Sequence, residues 1–303
     1  MSKLLKAVTL ICMILNNKYT MPYIVPTSAI DGLYRCTPLS FAALSQDLAA
    51  NHYSSTGIFM PQLQKNGKIW IISKQHFEIY EYPLWLDSLI LQTWAQPPKG
   101  FFCFRDFAYY YAKNGKKPSF AAAFHDFEST EQRSKDWDVE ALQEQDSLCV
   151  RGSTCWVVLN TETNQPAPLD EAVFGSLAFC PEHLEGRVFA KIGVPETWDR
   201  ELVLQPSLLD IDMNGHVNNL NYIRWALSAM DASFCRGKLP RILDTNFLIS
   251  AQYGQELCCR SAYSGDGTVC THSIVRTSDG AEVFRARTEW ADEAALARPL
   301  CIE

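Results

Sequence analysis

The densest concentration of chemistry in the sequence is Asp210-Ile211-Asp212-Met213-Asn214-Gly215-His216-Val217-Asn218-Asn219, which runs into an apolar-periodic segment. Asp212, Asn214 and His216 stand at i, i+2 and i+4, so in an extended chain all three side chains reach one face. Gly215 permits a tight or left-handed turn beside His216. Asn218 and Asn219 are placed to cap a helix, whose first amide N–H groups have no internal partners. An imidazole and a carboxamide would then sit beside free N–H donors at a positive helix end. Such a set can hold a carbonyl oxygen as it becomes an oxyanion, with a polar group at hand to position or deprotonate water. The same residues also fit an elaborate helix cap with a solvent-exposed histidine, and spacing alone does not separate the two.

The element that must carry this motif is a helix predicted from about Asn218 to Phe234. Leu220, Ile223, Leu227, Met230 and Phe234 form one stripe, and Tyr222, Ala226 and Ala229 form a second face. A helix apolar on more than one side is wrapped by other structure. Strand-like runs follow at Thr245–Ser250, Glu256–Ala262, Thr268–Val275 and Val283–Trp290. The first half repeats the plan. A helix over about Ser40–Tyr53 precedes strands at Lys68–Tyr80, Leu89–Trp94, Phe101–Tyr111 and Gly152–Leu159. Both strand sets close on similar phrases, Ser153-Thr154-Cys155-Trp156 and Arg287-Thr288-Glu289-Trp290, which suggests an internal repeat.

Proline and glycine punctuate the stretch between the halves. The expected organisation is an extension over residues 1–22, a domain over 23–175, a linker over 176–198, a domain over 199–293 and a tail over 294–303. An acidic insertion over about 118–148 reads as a solvated loop or short helix inside the first domain. Near the N-terminus, Lys3 and Lys6 precede the apolar run Ala7–Leu15 in the manner of a signal peptide, without a small-x-small cleavage site. A true start at Met21 explains that segment equally well.

Composition narrows the function classes. With 27 Lys+Arg against 34 Asp+Glu the net charge is −7, which supplies no basic surface for nucleic acid. No apolar run reaches the length of a membrane span. Eleven cysteines form no C-x-x-C pair, which fits free thiols in a reducing cytoplasm. Histidine spacing predicts no metal site, and no phosphate or dinucleotide fingerprint is present.

The string LDIDMNGHVNNLNYIRWAL resembles the signature of the acyl-acyl-carrier-protein thioesterases. Ala49-Ala50-Asn51-His52 with Thr56-Gly57, Trp70-Ile71-Ile72-Ser73, Tyr82-Pro83-Leu84-Trp85, Thr93-Trp94, Phe101-Phe102 and Arg105-Asp106-Phe107 follow in that family's order. The resemblance covers about Asp31 to Trp290. It implies an α+β fold with two hotdog domains in tandem, each a long helix wrapped by a curved antiparallel sheet. It implies hydrolysis of the thioester joining a fatty acyl chain to acyl carrier protein, with no cofactor, by a monomeric pseudo-dimer or a homodimer. An acyl-CoA thioesterase and an acyl-binding protein with a decayed site are the alternatives.

Carried over by position, Asp212 orients the site, Asn214 fixes the carbonyl or the water, and His216 polarises the thioester or moves a proton. Asn218, Asn219 and Tyr222 are the substrate-binding candidates. The family's Tyr-x-x-Glu phrase falls on Tyr253 and Glu256, which makes Glu256 the candidate to activate water; Gln252 and Leu257 depart from the pattern. The first half offers only Arg35-Cys36-Thr37-Pro38 before its helix, so one active site per chain follows. Arg105 and Asp106 read as a structural ion pair or a contact to the pantetheine arm. Cys258 and Cys259 read as buried thiols, and Lys113, Lys116 and Lys117 as a docking patch for an acidic carrier protein.

Overall fold

The computed structural model describes residues 13–112, 115–116, 148–184, 189 and 191–299. Strands β1 (Met13–Leu15), β2 (Lys18–Ile24), β3 (Lys68–Ile79), β4 (Ser88–Ala95), β5 (Phe102–Tyr111) and β6 (Leu148–Asn160) belong to the first half. The second half contributes β7 (Arg200–Leu204), β8 (Lys238–Phe247), β9 (Leu257–Tyr263), β10 (Val269–Arg276) and β11 (Glu282–Asp292). Among the described residues they form one eleven-stranded sheet in the order β1-β2-β4-β5-β6-β3-β8-β11-β10-β9-β7. Its named pairings are antiparallel, and β3 joins β8 at the centre, where Lys74–Glu78 face Asn246–Ile242. The helices are α1 (Pro38–Ser54), α2 (Met60–Lys65), α3 (Glu171–Phe174), α4 (Asn219–Ser228), α5 (Ala232–Cys235) and α6 (Glu293–Leu296). None is long and apolar enough to cross a membrane.

Local chemistry starts α1 where it does. The Thr37 hydroxyl accepts from the Ser40 N–H while the Ser40 hydroxyl accepts from the Thr37 N–H, and Pro38 occupies the first helical position. The helix buries Phe41, Leu44 and Leu48 against the sheet. Emptying the fully buried Leu48 site to alanine costs about 2–5 kcal/mol. One hydrophobic cluster runs from Tyr19 to Leu296 and includes residues of α1 and α4, so the two halves share a core. Strand β11 alternates, with Phe284, Ala286, Thr288 and Trp290 buried on one face. β4 and β5 are buried on both faces, because the linker packs Cys180 and Leu184 over Trp94 and Ala108. In β6, Gly152 is required by close approach: a Cβ there would lie 2.4 Å from the Phe77 ring.

The internal repeat is physical. Trp156 donates to Thr154 at 2.7 Å, and Trp290 donates to Thr288 at 2.8 Å, the same bond from the same phrase in each half. The tandem hotdog expectation is met, with the two sheets fused edge to edge.

Several boundaries move. The helix expected over 218–234 is two: α4 ends at Ser228, and the Asp231 carboxylate caps Ser233 to start α5. The strand expected at Thr245 begins at Lys238, because it is paired by β11 and β3 before that point. Residues 13–22 are not an appendage. Tyr19 and Thr20 are buried, and Tyr19–Ile24 pair along β4, so a start at Met21 would cut through β2. The approach to the linker and the linker itself are likewise structured: α3 packs Val173 on Leu63 and Val158 just before it, and within it Cys180 N–H donates to Ala95 O. The acidic insertion falls outside the described residues, apart from Leu148 at the start of β6, as do Lys113, Lys117 and residues 1–12.

The second half encloses a titratable group, His272, which is fully buried with Nδ1 3.2 Å from Ser261 Oγ and Nε2 3.1 Å from Thr288 Oγ1. Burial lowers its pKa from 6.5 to about 4. The unfolded chain therefore binds the extra proton first as pH falls, and stability must drop between pH 6.5 and about 4. Thermal melts across that window should show a falling Tm, and His272→Asn should flatten the slope.

Candidate active site

The motif loop is tighter than an extended chain. A 3-10 turn at Leu208–Asp210 leads into a bridge between Ile211 and Val217, closed by Asp212 N–H to His216 O at 2.8 Å. Gly215 takes φ 75°, the left-handed conformation that its lack of a Cβ allows. The Asp212 carboxylate accepts the N–H of Asn214 at 2.8 Å and that of His216 at 3.4 Å. Asp212 thus orients its two neighbours through their backbone, and the expectation of three side chains along one extended face is corrected.

The loop is also bolted from outside. Asn218 N–H donates to Asp210 O, and Arg224 pairs with the Asp210 carboxylate, which the Ser207 bonds and Arg224 hold below the usual range against the opposing effect of burial. Val217 N–H donates to Ala251 O, while Ala251 N–H donates to the Tyr222 hydroxyl. Tyr222 is buried against Phe247 and Phe284, so its place is as an anchor of the loop and not in the cavity wall. Asn218 is the N-cap of α4, its Oδ1 accepting from Leu220 N–H at 3.0 Å. Across from the motif, Gln64 of α2 donates to Asn214 Oδ1 at 2.9 Å, a contact between the two halves.

A cavity of about 220 Å³ opens beside this loop. Asp212, Asn214, Asn218 and Asn219 line it from the second half. The opposite walls come from Ala49, Ala50 and Tyr53 of α1 and from Trp70, Phe104 and Trp156 of the sheet. Phe174 of α3 and Leu177 and Phe179 of the linker complete it, the last two in a stretch whose proline and glycine content disguised it as a mere connection. Gln64 gains significance only in space.

His216 is half-buried beside this cavity without lining it, and among the described residues its imidazole has no hydrogen-bond partner. Glu256 is exposed at the entry to β9, where its carboxylate accepts from Thr277 Oγ1 at 2.8 Å. The structure therefore gathers Asp212, Asn214, Asn218 and Asn219, keeps His216 adjacent by chain, and leaves Glu256 outside the cavity wall. Cys258 and Cys259 are buried in β9, and burial raises the Cys259 thiol to about 12, so it stays protonated. Lys116 is engaged with Glu81 and the Tyr111 ring. Arg105 and Asp106 are not a pair: successive strand residues point to opposite faces, Arg105 to His52 and Asp106 to Ser153.

The first half contains the same turn in degenerate form. Asp31 N–H donates to Arg35 O, the Asp31 carboxylate accepts Leu33 and Arg35 N–H, and Ile30 bridges to Cys36. Here Leu33 stands where Asn214 stands and Arg35 where His216 stands. Arg35 is tied to Asp31 and to Glu293 of α6, so the C-terminal segment covers this turn.

The site is thus a polar helix entrance beside an apolar cavity in a tandem hotdog, and comparison with known proteins places the chain in a family. The acyl-ACP thioesterase N-terminal domain family matches residues 16–135, and the acyl-ACP thioesterase C-terminal domain family matches residues 195–292. The chain belongs to the acyl-ACP thioesterase family. It is 24% identical over 270 residues to a chloroplastic palmitoyl-acyl carrier protein thioesterase of Arabidopsis thaliana, covering 82% of this chain and 58% of the relative. It is 26% identical over 208 residues to a chloroplastic oleoyl-acyl carrier protein thioesterase of Coriandrum sativum, covering 63% and 48%. The chain thus spans about half the length of the curated relatives it matches. Among solved structures, a 12:0-ACP thioesterase from Umbellularia californica superposes with TM-score 0.74 at 20% identity, covering 91% of this chain and 98% of that one. An acyl-ACP thioesterase from Bacteroides thetaiotaomicron superposes with TM-score 0.72 at 20% identity and the same coverage.

The cap can be weighed directly. Asn218→Ala should lower unfolding free energy by about 1 kcal/mol in denaturant melts, and Asn218→Asp should restore it.

Proposed function

We propose that this protein hydrolyses the thioester between a fatty acyl chain and acyl carrier protein, releasing the free acid and the carrier's thiol. The observation that carries this reading is the division of the cavity: apolar walls from the first half meet the polar helix entrance of the second. Of the first N–H groups of α4, Leu220 is taken by the Asn218 side chain and Asn221 by the Asn218 carbonyl. The Asn219 N–H is the one left to receive a thioester oxygen, at the positive end of the helix dipole. Asn214, held by Asp212 and Gln64, fixes the carbonyl or the attacking water. As charge builds on the oxygen, the N–H and carboxamide donors stabilise it, and the C–S bond breaks with His216 moving the proton to the departing sulfur. Glu256 fits the family phrase, and its segment packs on the motif through Ala251 and Gly254, so it is assigned to activate water. To do so its carboxylate must turn from Thr277 toward the entrance.

The test is fatty-acid release from acyl-carrier-protein thioesters beside the matching acyl-CoAs. Wild type should release acid from the carrier thioesters in preference to the CoA esters. His216→Ala and Glu256→Gln should each lower kcat by about 10²–10⁴. Equal turnover of CoA esters would move the assignment to an acyl-CoA thioesterase. Full activity in Glu256→Gln would return that residue to its surface bond with Thr277.

A further inference from the structure

Two carboxamides meet where the halves touch, and each has its orientation fixed by a neighbour that only accepts. Gln64, on α2, places Nε2 2.9 Å from Asn214 Oδ1 and 3.4 Å from Met213 O. A carbonyl oxygen cannot donate, so the Gln64 atom facing Met213 is the nitrogen. Asn214 Nδ2 lies 3.5 Å from Asp212 Oδ2, a carboxylate acceptor, so its nitrogen turns toward Asp212 and its oxygen toward Gln64. The distances rank the two contacts. The 2.9 Å bond holds the Asn214 side chain, and the 3.5 Å contact is long enough only to decide which way round it sits.

The consequence for Asn214 is chemical. Its oxygen is engaged by Gln64, and its backbone N–H by Asp212 Oδ1. What it offers to the cavity it lines is then side-chain N–H. Such a donor stabilises an oxygen that gains negative charge, and it cannot take a proton from an attacking water.

Gln64 arrives on a fixed platform. Leu63 beside it is 1% exposed and packs on Val158 and Val173, while Met60, one turn earlier, lines the cavity. The first half also contains an internal control. The turn at Asp31 closes on the same backbone bonds with Leu33 in the place of Asn214, and that leucine is 54% exposed. The turn therefore forms without a carboxamide, and the Gln64–Asn214 bond is not needed to shape the loop.

We propose that Gln64 is a positioning residue of the active site. Reaching across from the first half, it takes up the Asn214 oxygen and commits that carboxamide to donating its N–H to the thioester oxygen as it becomes an oxyanion. This inference rests on the hydrolase reading and decides between the two roles open to Asn214, leaving the water to other groups. Because the donor matters most while charge builds, its loss falls on kcat and leaves KM in place.

The experiment measures acid release from acyl-carrier-protein thioesters by wild type, Gln64→Met, Gln64→Glu, Asn214→Ala and the double variant Gln64→Met/Asn214→Ala. Gln64→Met is of similar length with nothing to donate, and should lower kcat by about tenfold or more with KM within about twofold. In the Asn214→Ala background the same substitution should change kcat by less than about twofold, since its effect runs through Asn214. Gln64→Glu adds a pH readout. Its ionised carboxylate faces the Asn214 and Met213 oxygens and cannot donate, whereas its protonated form donates an O–H as the amide did. Those oxygens raise its pKa above the ordinary value of about 4.3, so the kcat ratio of variant to wild type should climb as pH falls from about 8 to about 5. Equal losses from Gln64→Met with and without Asn214, an effect on KM in place of kcat, or a ratio flat across pH overturns the proposal. If wild type releases no acid from carrier thioesters or CoA esters, the hydrolase reading fails separately, and melting decides the carboxamide geometry. A raised pKa in the folded state gives stability that is lost as pH rises, so the Tm of Gln64→Glu should fall further below wild type with rising pH. A gap that stays level or closes removes the orientation assigned to Gln64 and Asn214.

Discussion

The pairing of β3 with β8 is the constraint on which the rest depends. Five register pairs, Lys74–Glu78 against Asn246–Ile242, turn two half-sheets into one. Side chains reinforce that seam: His76 meets Asp244 at 2.6 Å, Tyr82 donates to Pro240 O, and Glu78 is held by Arg151 and Arg241. Because the seam is continuous, α1 and α4 lie over one surface and share one core. It also brings α2 of one half to the motif loop of the other, which is what lets Gln64 reach Asn214. Slipping the register by one residue would send Gln75 and His76 to each other's faces and dismantle both the core and the seam.

Within that frame the halves have separate work. The second supplies an ordered polar loop in which most backbone donors are committed and whose Asp212, Asn214, Asn218 and Asn219 line the cavity. The first supplies large aromatic walls and one charge. Asp212 is central to this economy of donors: by accepting the N–H groups of Asn214 and His216 it fixes the loop's shape. Arg35 in the equivalent place is clamped by two carboxylates, and the contrast separates a poised loop from a closed one.

The sequence disclosed what depends on local chemistry. The α4 start followed from Asn218 and the repeat from two Trp-bearing phrases. Strand positions were legible from β-branched and aromatic runs, whereas the beginning of β8 was not, because Lys238–Asp244 become strand only when β11 and β3 pair them. Tyr222 was read as a ligand-facing ring from its place near the motif, and it is instead the hydroxyl on which the 251 loop hangs. The degenerate turn at Asp31 was missed since only its aspartate survives, and shared backbone bonds leave little trace in side-chain identity. Linker residues in the cavity wall, and the meeting of Arg105 with His52, depend on contacts distant in sequence. No periodicity could have found them.

The two Asp-centred turns occupy equivalent places in one covalent chain, and this has a genetic consequence. In a homodimer built from identical subunits each substitution is made twice, so a loop cannot be closed on one side while it is kept open on the other. Joining the halves lifts that restriction. Leu33 and Arg35 could arise, and α6 could fold over them, without any echo at Asn214 and His216. The same freedom allows Arg105, the register partner of Thr154, to face a cavity while Cys270, its counterpart opposite Thr288, is fully buried beside Met230, Trp290 and the His272 ring. Asymmetry that a dimer would have to acquire by pairing with a different subunit is here written into a single reading frame.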